Sequence, residues 1–268
     1  MMSGIPTWVV ELSVYGPVTL KRSLTLNEPK GFRLEDPFYS NIELRNTSFG
    51  IRASVMALAS KSQLANKAAL FFFGQMLDAL AIQISCPLYL SFTEQRPDRR
   101  ERHAVRRVVE REEWQLAFHE ARLLALSEPT FLRALGWYRK GLYTEDPFDR
   151  FFAFWLSMEI VAGKYHPRTE RTEKGIRNQM WECFKTLWGE CDQWPIIKGE
   201  EKWIDDSYQT RVDIAHGAVP VNVESVEAIL PRLDTIQMLA HAFLHSWRDH
   251  QLDPRIPPES ERLFGYDY

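Results

Sequence analysis

The spacing of apolar residues changes along the chain from a period of two to a helical period, and this change constrains the fold more than any other feature. Between residues 8 and 58, apolar side chains alternate with polar ones, or run together, in short segments separated by Gly, Pro and Asn. After about residue 111 they recur at intervals of three and four instead. Alternation is typical of β-strands, and the longer intervals are typical of packed helices. The sequence therefore predicts an α+β chain in which a sheet precedes a helical bundle.

Residues 1–95 are predicted to form a small N-terminal α+β domain. Strands are expected in three segments, at residues 8–14, 18–26 and 42–45. Ser62 is a candidate N-cap for a helix that runs to about Leu80, and a further strand is expected over residues 82–92. The apolar face of this helix is predicted from Leu64, Ala68, Phe71, Phe72, Gln75 and Ala79. No recognised motif indicates what this domain does.

A charged segment follows the N-terminal domain. Residues 94–113 hold seven arginines and six acids, so their charges nearly cancel. A strongly basic run would have favoured nucleic-acid binding, whereas balanced charges are typical of a solvated segment with ion pairs. The sequence therefore predicts a connector over residues 96–110, a helical domain over residues 111–252 and a C-terminal tail over residues 253–268.

Six helices are predicted after the connector, at residues 112–126, 129–142, 148–162, 172–188, 200–215 and 224–250. The third follows Pro147, ends at Gly163 and is too apolar for a surface position. In the last, apolar residues spaced by three and four in turn form a seam of Val226, Ile229, Leu233, Ile236, Ala240, Phe243 and Trp247. The seam fits either packing inside its own bundle or contact with a second copy of the chain.

The formal net charge of −3 gives no general attraction to nucleic acid, so any such contact must be local. The three cysteines show no CxxC spacing, which indicates reduced thiols. The first residues lack the pattern of a signal peptide, and the apolar stretch over residues 79–90 is too short and broken to cross a membrane. We therefore expect a cytoplasmic protein without membrane contact.

The strongest functional signal lies in residues 208–217, where Arg211 and His216 stand five positions apart. In an unbroken helix, five steps of 100° turn the two side chains away from each other. They converge only if the helix loosens between them. Gly217 and Pro220 predict that the helix ends directly after His216.

An arginine and a histidine held together can cleave a phosphodiester without a metal ion. His216 would accept or donate the proton at the 2′-hydroxyl or at the leaving 5′-oxygen, and Arg211 would neutralise charge on the pentacoordinate phosphorus. The 2′-hydroxyl as nucleophile makes RNA the expected substrate and a 2′,3′-cyclic phosphate the expected product. One histidine cannot conveniently serve as both acid and base, so a second copy across a dimer interface would complete the site.

Residues 208–217, together with the aromatic-rich segment at 149–163, resemble the HEPN superfamily, in particular its ApeA-like branch and relatives associated with methylamine utilisation. The resemblance covers about residues 110–250. It implies a helical bundle that dimerises so that two Arg-x4-6-His motifs face one cleft. Such ribonucleases often serve in phage defence or stress response, as toxins or effectors that a protein partner inhibits or activates.

Position by position, Arg211 and His216 match the motif of that superfamily, and Glu159 matches its upstream acid. Val212 stands where many members have a polar residue. Ala218 replaces the tyrosine of the toxin branch that pairs with nucleotidyltransferase antitoxins, which disfavours membership of that branch.

Supporting roles are expected for three further residues. Glu159, a lone carboxylate in an apolar helix, needs partners, and pairing with Arg211 would position the arginine. Asp213 is expected either to orient His216 or to face water. Tyr208 is expected to contribute packing rather than chemistry.

Two alternatives to a ribonuclease remain at this point. The helical domain fits a catalytically silent dimerisation or partner-binding module, or a site for a small phosphorylated ligand.

His241 and His245 have the four-residue spacing of a zinc site but lack an evident third ligand. The sequence therefore predicts neither a metal nor any other cofactor.

Overall fold

The computed structural model describes residues 6–30, 38–48, 50–92, 107–220 and 222–251. The chain divides into two compact units, one ending at Ser127 and the other beginning at Glu128. The first combines a sheet with helices and the second is helical, so the predicted α+β class is confirmed. The predicted tail over residues 253–268 lies outside the described residues.

The N-terminal unit is built on a five-stranded sheet with the strand order β3-β4-β5-β1-β6. Its strands are β1 (Thr7–Tyr15), β3 (Leu24–Lys30), β4 (Phe38–Asn46), β5 (Gly50–Leu58) and β6 (Tyr89–Phe92). Each neighbouring pair is antiparallel. A second sheet pairs β2 (Val18–Leu20) in parallel with β7 (Arg107–Val109).

Alternation along these strands places one row of apolar side chains in the core. On β1, Val10, Leu12 and Val14 are buried while Val9 and Glu11 are exposed. The facing strands bury alternate residues in the same way, namely Ile42, Leu44, Ile51, Ala53 and Val55. Period-two alternation predicted β1 and part of β4 correctly, because one face of an antiparallel sheet packs on the core. The single strand predicted over residues 18–26 is instead divided between β2 and β3, which belong to different sheets, and β5 was not among the predicted segments.

Helix α1 (Ser62–Ile84) covers the sheet with a different face from the one predicted. Leu64 and Phe71, placed on the predicted apolar face, are 50% and 56% exposed. Of the predicted face only Ala79 is buried, and the rest of the buried face carries Ala65, Ala69, Phe73, Met76, Leu77 and Leu80. The helix has apolar residues on both sides, so its period alone does not decide which side is buried.

The ends of α1 also differ from the prediction. Its N-cap is Lys61 rather than Ser62, and no side chain caps it. The helix continues to Ile84, so the strand predicted from residue 82 begins only at Tyr89. By length and composition alone, α1 could cross a membrane, a property that core helices share, and half of its most apolar window is buried.

Helix α2 (Arg111–Ser127) belongs to the N-terminal unit, which corrects the predicted domain boundary at residue 111. Its Trp114 and Phe118 pack on Phe73 of α1, with ring centroids 6.3 and 5.8 Å away. Of the predicted connector, only residues 107–110 are described, and β7 within them joins a sheet. The burial of α2 against α1 therefore moves the boundary one helix later.

The C-terminal unit contains five α-helices among its described residues. They are α3 (Pro129–Tyr143), α4 (Pro147–Tyr165), α5 (Ile176–Trp188), α6 (Trp203–Ala215) and α7 (Val223–Gln251). Helix α4 packs against all four of the others. Its N-terminus is capped by Asp146, whose carboxylate accepts from the backbone N–H groups of Phe148 and Asp149 at 2.9 Å.

The apolar character of α4 follows from this central position. Eight of its 19 residues are buried, among them Phe151, Phe154, Trp155, Met158 and Val161. The helix continues past Gly163, its predicted end, to Tyr165. The prediction that α4 cannot lie on a surface agrees with this packing.

The apolar seam of α7 packs inside its own unit. Ile229, Leu233, Ile236, Phe243 and Trp247 are each at most 4% exposed. The helix contacts α3, α4 and α5. These residues are already buried within one chain, so the seam fits packing inside its own unit, the first of the two predicted alternatives.

Candidate active site

The guanidinium of Arg211 on α6 is held by Glu159 on α4. Arg211 Nε donates to Glu159 Oε2 at 3.1 Å, and Arg211 Nη2 donates to Glu159 Oε1 at 3.0 Å. The two side chains are 23% and 18% exposed. Such a two-point contact fixes the orientation of the guanidinium as well as its position. The predicted pairing of Glu159 with Arg211 is therefore present.

One edge of the Arg211 guanidinium stays available. Arginine has five N–H donors, and Glu159 takes the edge formed by Nε and Nη2. The opposite edge, formed by Nη1 and Nη2, has no acceptor among the described residues. A planar donor edge of this kind matches two oxygens of a phosphate group.

Aromatic side chains of α4 support the ion pair. Trp155 Nε1 donates to Glu159 Oε2 at 2.6 Å, from one helical turn earlier on α4. The ring of Phe152 lies 5.6 Å from Arg211 Cζ. Glu159 is thus oriented by Trp155, and the sequence analysis did not single out either aromatic residue. The four-residue spacing of Trp155 and Glu159 on one helix was the sequence signal that could have identified Trp155.

Helix α6 ends at Ala215 with His216 as its C-cap. The backbone N–H of Gly217 donates to the carbonyl of Ile214 at 3.1 Å, and that of Ala218 donates to the carbonyl of Asp213 at 2.8 Å. These two bonds form a Schellman motif, which needs a left-handed residue after the cap. Gly217 supplies it with φ of 64°. The predicted termination after His216 is therefore confirmed.

The predicted convergence of Arg211 and His216 within one chain does not occur. Helix α6 is α-helical from Trp203 to Ala215, so it does not loosen between the two residues. Arg211 faces Glu159, whereas His216 is exposed, and no hydrogen bond joins their side chains within the part of the chain that the structure describes. The regular helix keeps the two residues on different faces.

The other two predicted residues have partners of their own. Asp213 accepts from Gln209 Nε2 at 2.8 Å, so its described contact is not with His216. The ring centroid of Tyr208 lies 6.4 Å from that of Trp155, and Arg177 Cζ lies 5.4 Å from the Tyr208 ring. Tyr208 therefore lies in the aromatic packing beside the ion pair, in keeping with its expected role.

His241 and His245 form a hydrogen-bonded chain with Arg248. Arg248 Nη2 donates to His245 Nδ1 at 2.8 Å, and the two Nε2 atoms of the histidines are 3.0 Å apart. Because His245 Nδ1 accepts, a neutral His245 carries its proton on Nε2, which then donates to His241. Among the described residues, no group of three or more His, Cys, Asp and Glu side chains could hold a metal ion.

A cleft of about 920 Å³ lies beside α6 in the same unit. Residues of α6, of α7 and of the segment before α6 line it, among them Ile196, Lys202, Trp203, Gln209 and Arg232. Arg232 is half-buried, donates to Thr210 Oγ1 at 2.6 Å and donates to Ser207 Oγ at 3.2 Å. The sequence analysis missed Arg232, because nothing in the pattern of α7 distinguishes it from a solvated arginine.

Comparisons of the chain with protein-family models, with curated proteins and with solved structures find no match. The HEPN resemblance therefore remains a prediction that rests on the residues quoted for it.

Proposed function

We propose that this protein is a HEPN-type, metal-independent endoribonuclease that acts as a dimer, with Arg211 and His216 as its catalytic residues. The observation that carries the proposal is the fixed guanidinium of Arg211. Glu159 holds one donor edge and leaves the other open, which is the arrangement that a phosphate-binding arginine needs. His216 follows on the same helix at an exposed cap.

The reaction is an internal transfer at phosphorus. The 2′-oxygen of the RNA attacks the adjacent phosphorus while a base takes the proton of the 2′-hydroxyl. The bond from phosphorus to the 5′-oxygen breaks, and an imidazolium donates a proton to that oxygen. The products are a 2′,3′-cyclic phosphate and a free 5′-hydroxyl. The open edge of Arg211 binds the non-bridging oxygens as negative charge develops on them.

A second copy of the chain supplies what one chain lacks. The reaction needs a base and an acid at the same time, and Arg211 and His216 of one chain lie on different faces of α6. In a dimer with both C-terminal ends of α6 at one cleft, the histidine of each chain serves one role. The buried seam of α7 is not this interface, so another surface of the helical unit must form it.

The biological setting follows the resemblance. The protein would act in the cytoplasm as an effector of phage defence or stress response, and a protein partner would inhibit or activate it. Uncontrolled cleavage of RNA harms its own cell, which is the reason for such restraint.

A catalytically silent dimerisation or partner-binding module is the second candidate. The observation in its favour is the same ion pair, because Glu159 neutralises Arg211 and links α4 to α6 as a structural contact would. In this case His216 has no chemical role. The two candidates differ in what the removal of His216 does.

The decisive experiment measures cleavage of total RNA in EDTA by the purified protein and by His216→Ala. His216 is exposed and has no described side-chain partner, so its removal leaves the fold intact. Loss of an acid or base lowers the cleavage rate by about 10²-fold or more. Mass spectrometry should find 2′,3′-cyclic phosphate ends only with the unaltered protein.

Arg211→Gln provides the second arm, with Arg133→Gln as the matched control because Arg133 is an exposed arginine of α3. Only Arg211→Gln is expected to lose activity, by about 10²-fold. Equal cleavage by all proteins, or none by any with candidate activators present, contradicts the ribonuclease proposal. Sedimentation of each variant checks that its oligomeric state is unchanged.

A further inference from the structure

The 920 Å³ cleft beside α6 is lined by a half-buried cation, Arg232. Arg232 is held by two neutral hydroxyls, those of Thr210 and Ser207, and its Cζ lies 5.1 Å from the ring of Phe151. Burial lowers the pKa of the Arg232 guanidinium, against the smaller opposing effect of the Asp206 carboxylate. No described carboxylate forms an ion pair with it. A half-buried cation without an anion is costly, and a bound anion offsets that cost.

Arg232 also has donors to spare. Its Nη1 and Nη2 atoms each give one N–H to a hydroxyl, so two of its five donors are used. The hydroxyl of Thr210 itself donates to the carbonyl of Asp206 at 2.9 Å, which leaves its lone pair for Arg232. The guanidinium is therefore fixed in the cleft wall by neutral groups while other donors remain for a ligand.

The rest of the cleft has the mixed character of a nucleotide site. Trp203 and Pro231 contribute apolar surface, and Ile196 adds an exposed apolar side chain. Ile196 has φ of 69°, a conformation that a β-branched residue rarely adopts and that clusters at binding sites. An aromatic surface and apolar neighbours suit a nucleobase.

Polar side chains also line the cleft. Lys202 adds a second cation, and Gln209 offers an amide that can both donate and accept. Three acids, Glu200, Glu201 and Asp206, line the cleft as well. They oppose a simple anion, but their carboxylates accept hydrogen bonds from the exocyclic amines of bases. A ligand with both a phosphate and a base uses all of these groups, whereas inorganic phosphate does not.

We propose that this cleft binds one nucleotide of a single-stranded RNA, with Arg232 on a phosphate and Trp203 beside the base. The proposal rests on the proposed ribonuclease function for the choice of RNA, since it adds a substrate-binding subsite outside the Arg211 pair. Thr210 and Arg211 are neighbours on α6, so the cleft and the ion pair occupy adjacent faces of one helix. The subsite would hold the strand while the reacting phosphate lies at Arg211.

The test measures binding of a fluorescein-labelled ten-nucleotide oligoribonucleotide by anisotropy, with His216→Ala present in every protein to prevent cleavage. Adding Arg232→Gln is expected to weaken binding about ten-fold, the effect of one lost charged hydrogen-bonded contact. The slope of log K against log salt should become shallower by about 0.7, as for one released phosphate contact. The control Arg133→Gln should change neither quantity.

Lys202→Gln is a second variant that tests the cleft if Arg232→Gln fails to fold. Lys202 is exposed, so its replacement leaves the fold intact. It is expected to weaken binding about three-fold with the same kind of change in salt slope. Adenosine 5′-monophosphate serves as the second probe and should bind more weakly than the oligoribonucleotide. Tighter binding of the mononucleotide overturns the assignment to RNA.

The outcomes separate this proposal from the proposed function. Unchanged RNA binding by the Arg232 and Lys202 variants overturns the subsite and leaves cleavage at Arg211 and His216 untouched. Absence of binding by every protein also overturns the subsite. The cleavage assay then tests the ribonuclease proposal independently. Binding that depends on Arg232, in a protein that cleaves no RNA even with His216 intact, supports the cleft while contradicting the catalytic proposal.

Discussion

At the scale of single residues, the candidate site is a chain of oriented groups. Trp155 orients Glu159, and Glu159 orients Arg211 through two hydrogen bonds. Each link lies in a partly buried place, where hydrogen bonds to charged groups contribute more than they do in water. Arg211 is thereby held in one orientation before any substrate binds.

Glu159→Gln tests this chain directly. The variant leaves Arg211 partly buried without its counter-charge, so we expect the free energy of unfolding to fall by about 1–3 kcal/mol. Asp205→Asn is the matched control, since it breaks the Arg177–Asp205 pair, whose side chains are 56% and 62% exposed. The control should cost less than about 1 kcal/mol. Urea unfolding measures both, and equal losses would contradict a special role for Glu159.

At the scale of elements, the end of α6 decides where His216 lies. The Schellman motif at Gly217 stops the helix directly after the histidine and leaves the side chain exposed. Two glycines near the site illustrate different demands on the backbone. Gly217 has a left-handed φ of 64°, whereas Gly163 lies within α4, where a Cβ would meet only Ile176 Cδ1 at 3.6 Å.

Alanine at these two glycines should therefore change stability in opposite directions. Gly217→Ala places a Cβ on a left-handed residue, so it is expected to destabilise the protein by about 1–2 kcal/mol. Gly163→Ala removes backbone freedom from the unfolded chain at a helical position and is expected to stabilise by about 0.5–1 kcal/mol. Thermal melting gives both signs, and a stabilising Gly217→Ala would argue against the left-handed cap.

At the scale of the whole molecule, α2 belongs with the sheet unit rather than with the helices that follow it. Trp114 is fully buried, and Phe118 is largely buried against Phe73. A domain boundary before α2 would separate these aromatic side chains, so those of both α1 and α2 would become exposed. The functional residues, by contrast, all lie after Glu128.

Truncation distinguishes the two boundaries. A fragment of residues 1–127 is expected to unfold cooperatively, because it retains α2, which packs on α1. A fragment of residues 1–110 should lose cooperativity or aggregate, since it exposes the large apolar side chains that α2 covers. Circular dichroism on heating, with gel filtration, compares them. Identical melting of the two fragments would restore the boundary near residue 111.

Local rules in the sequence determined the elements and most of their ends. Alternation predicted β1 and part of β4, the three-to-four spacing predicted the helices, and Pro147 and Gly217 marked a beginning and an end within a residue or two. These signals depend only on neighbours in the chain. The pairing of Glu159 with Arg211 was also within reach, because a carboxylate in an apolar helix needs a partner.

Only the tertiary structure decided which faces meet. It turned α1 so that Phe73 rather than Phe71 is buried, and it joined α2 to the sheet unit. It also placed Arg232 in a cleft wall and kept His216 away from Arg211. Burial depends on what an element packs against, and that surface is built by residues far away in the sequence. The sequence names the groups that can do chemistry, and packing decides which of them lie together.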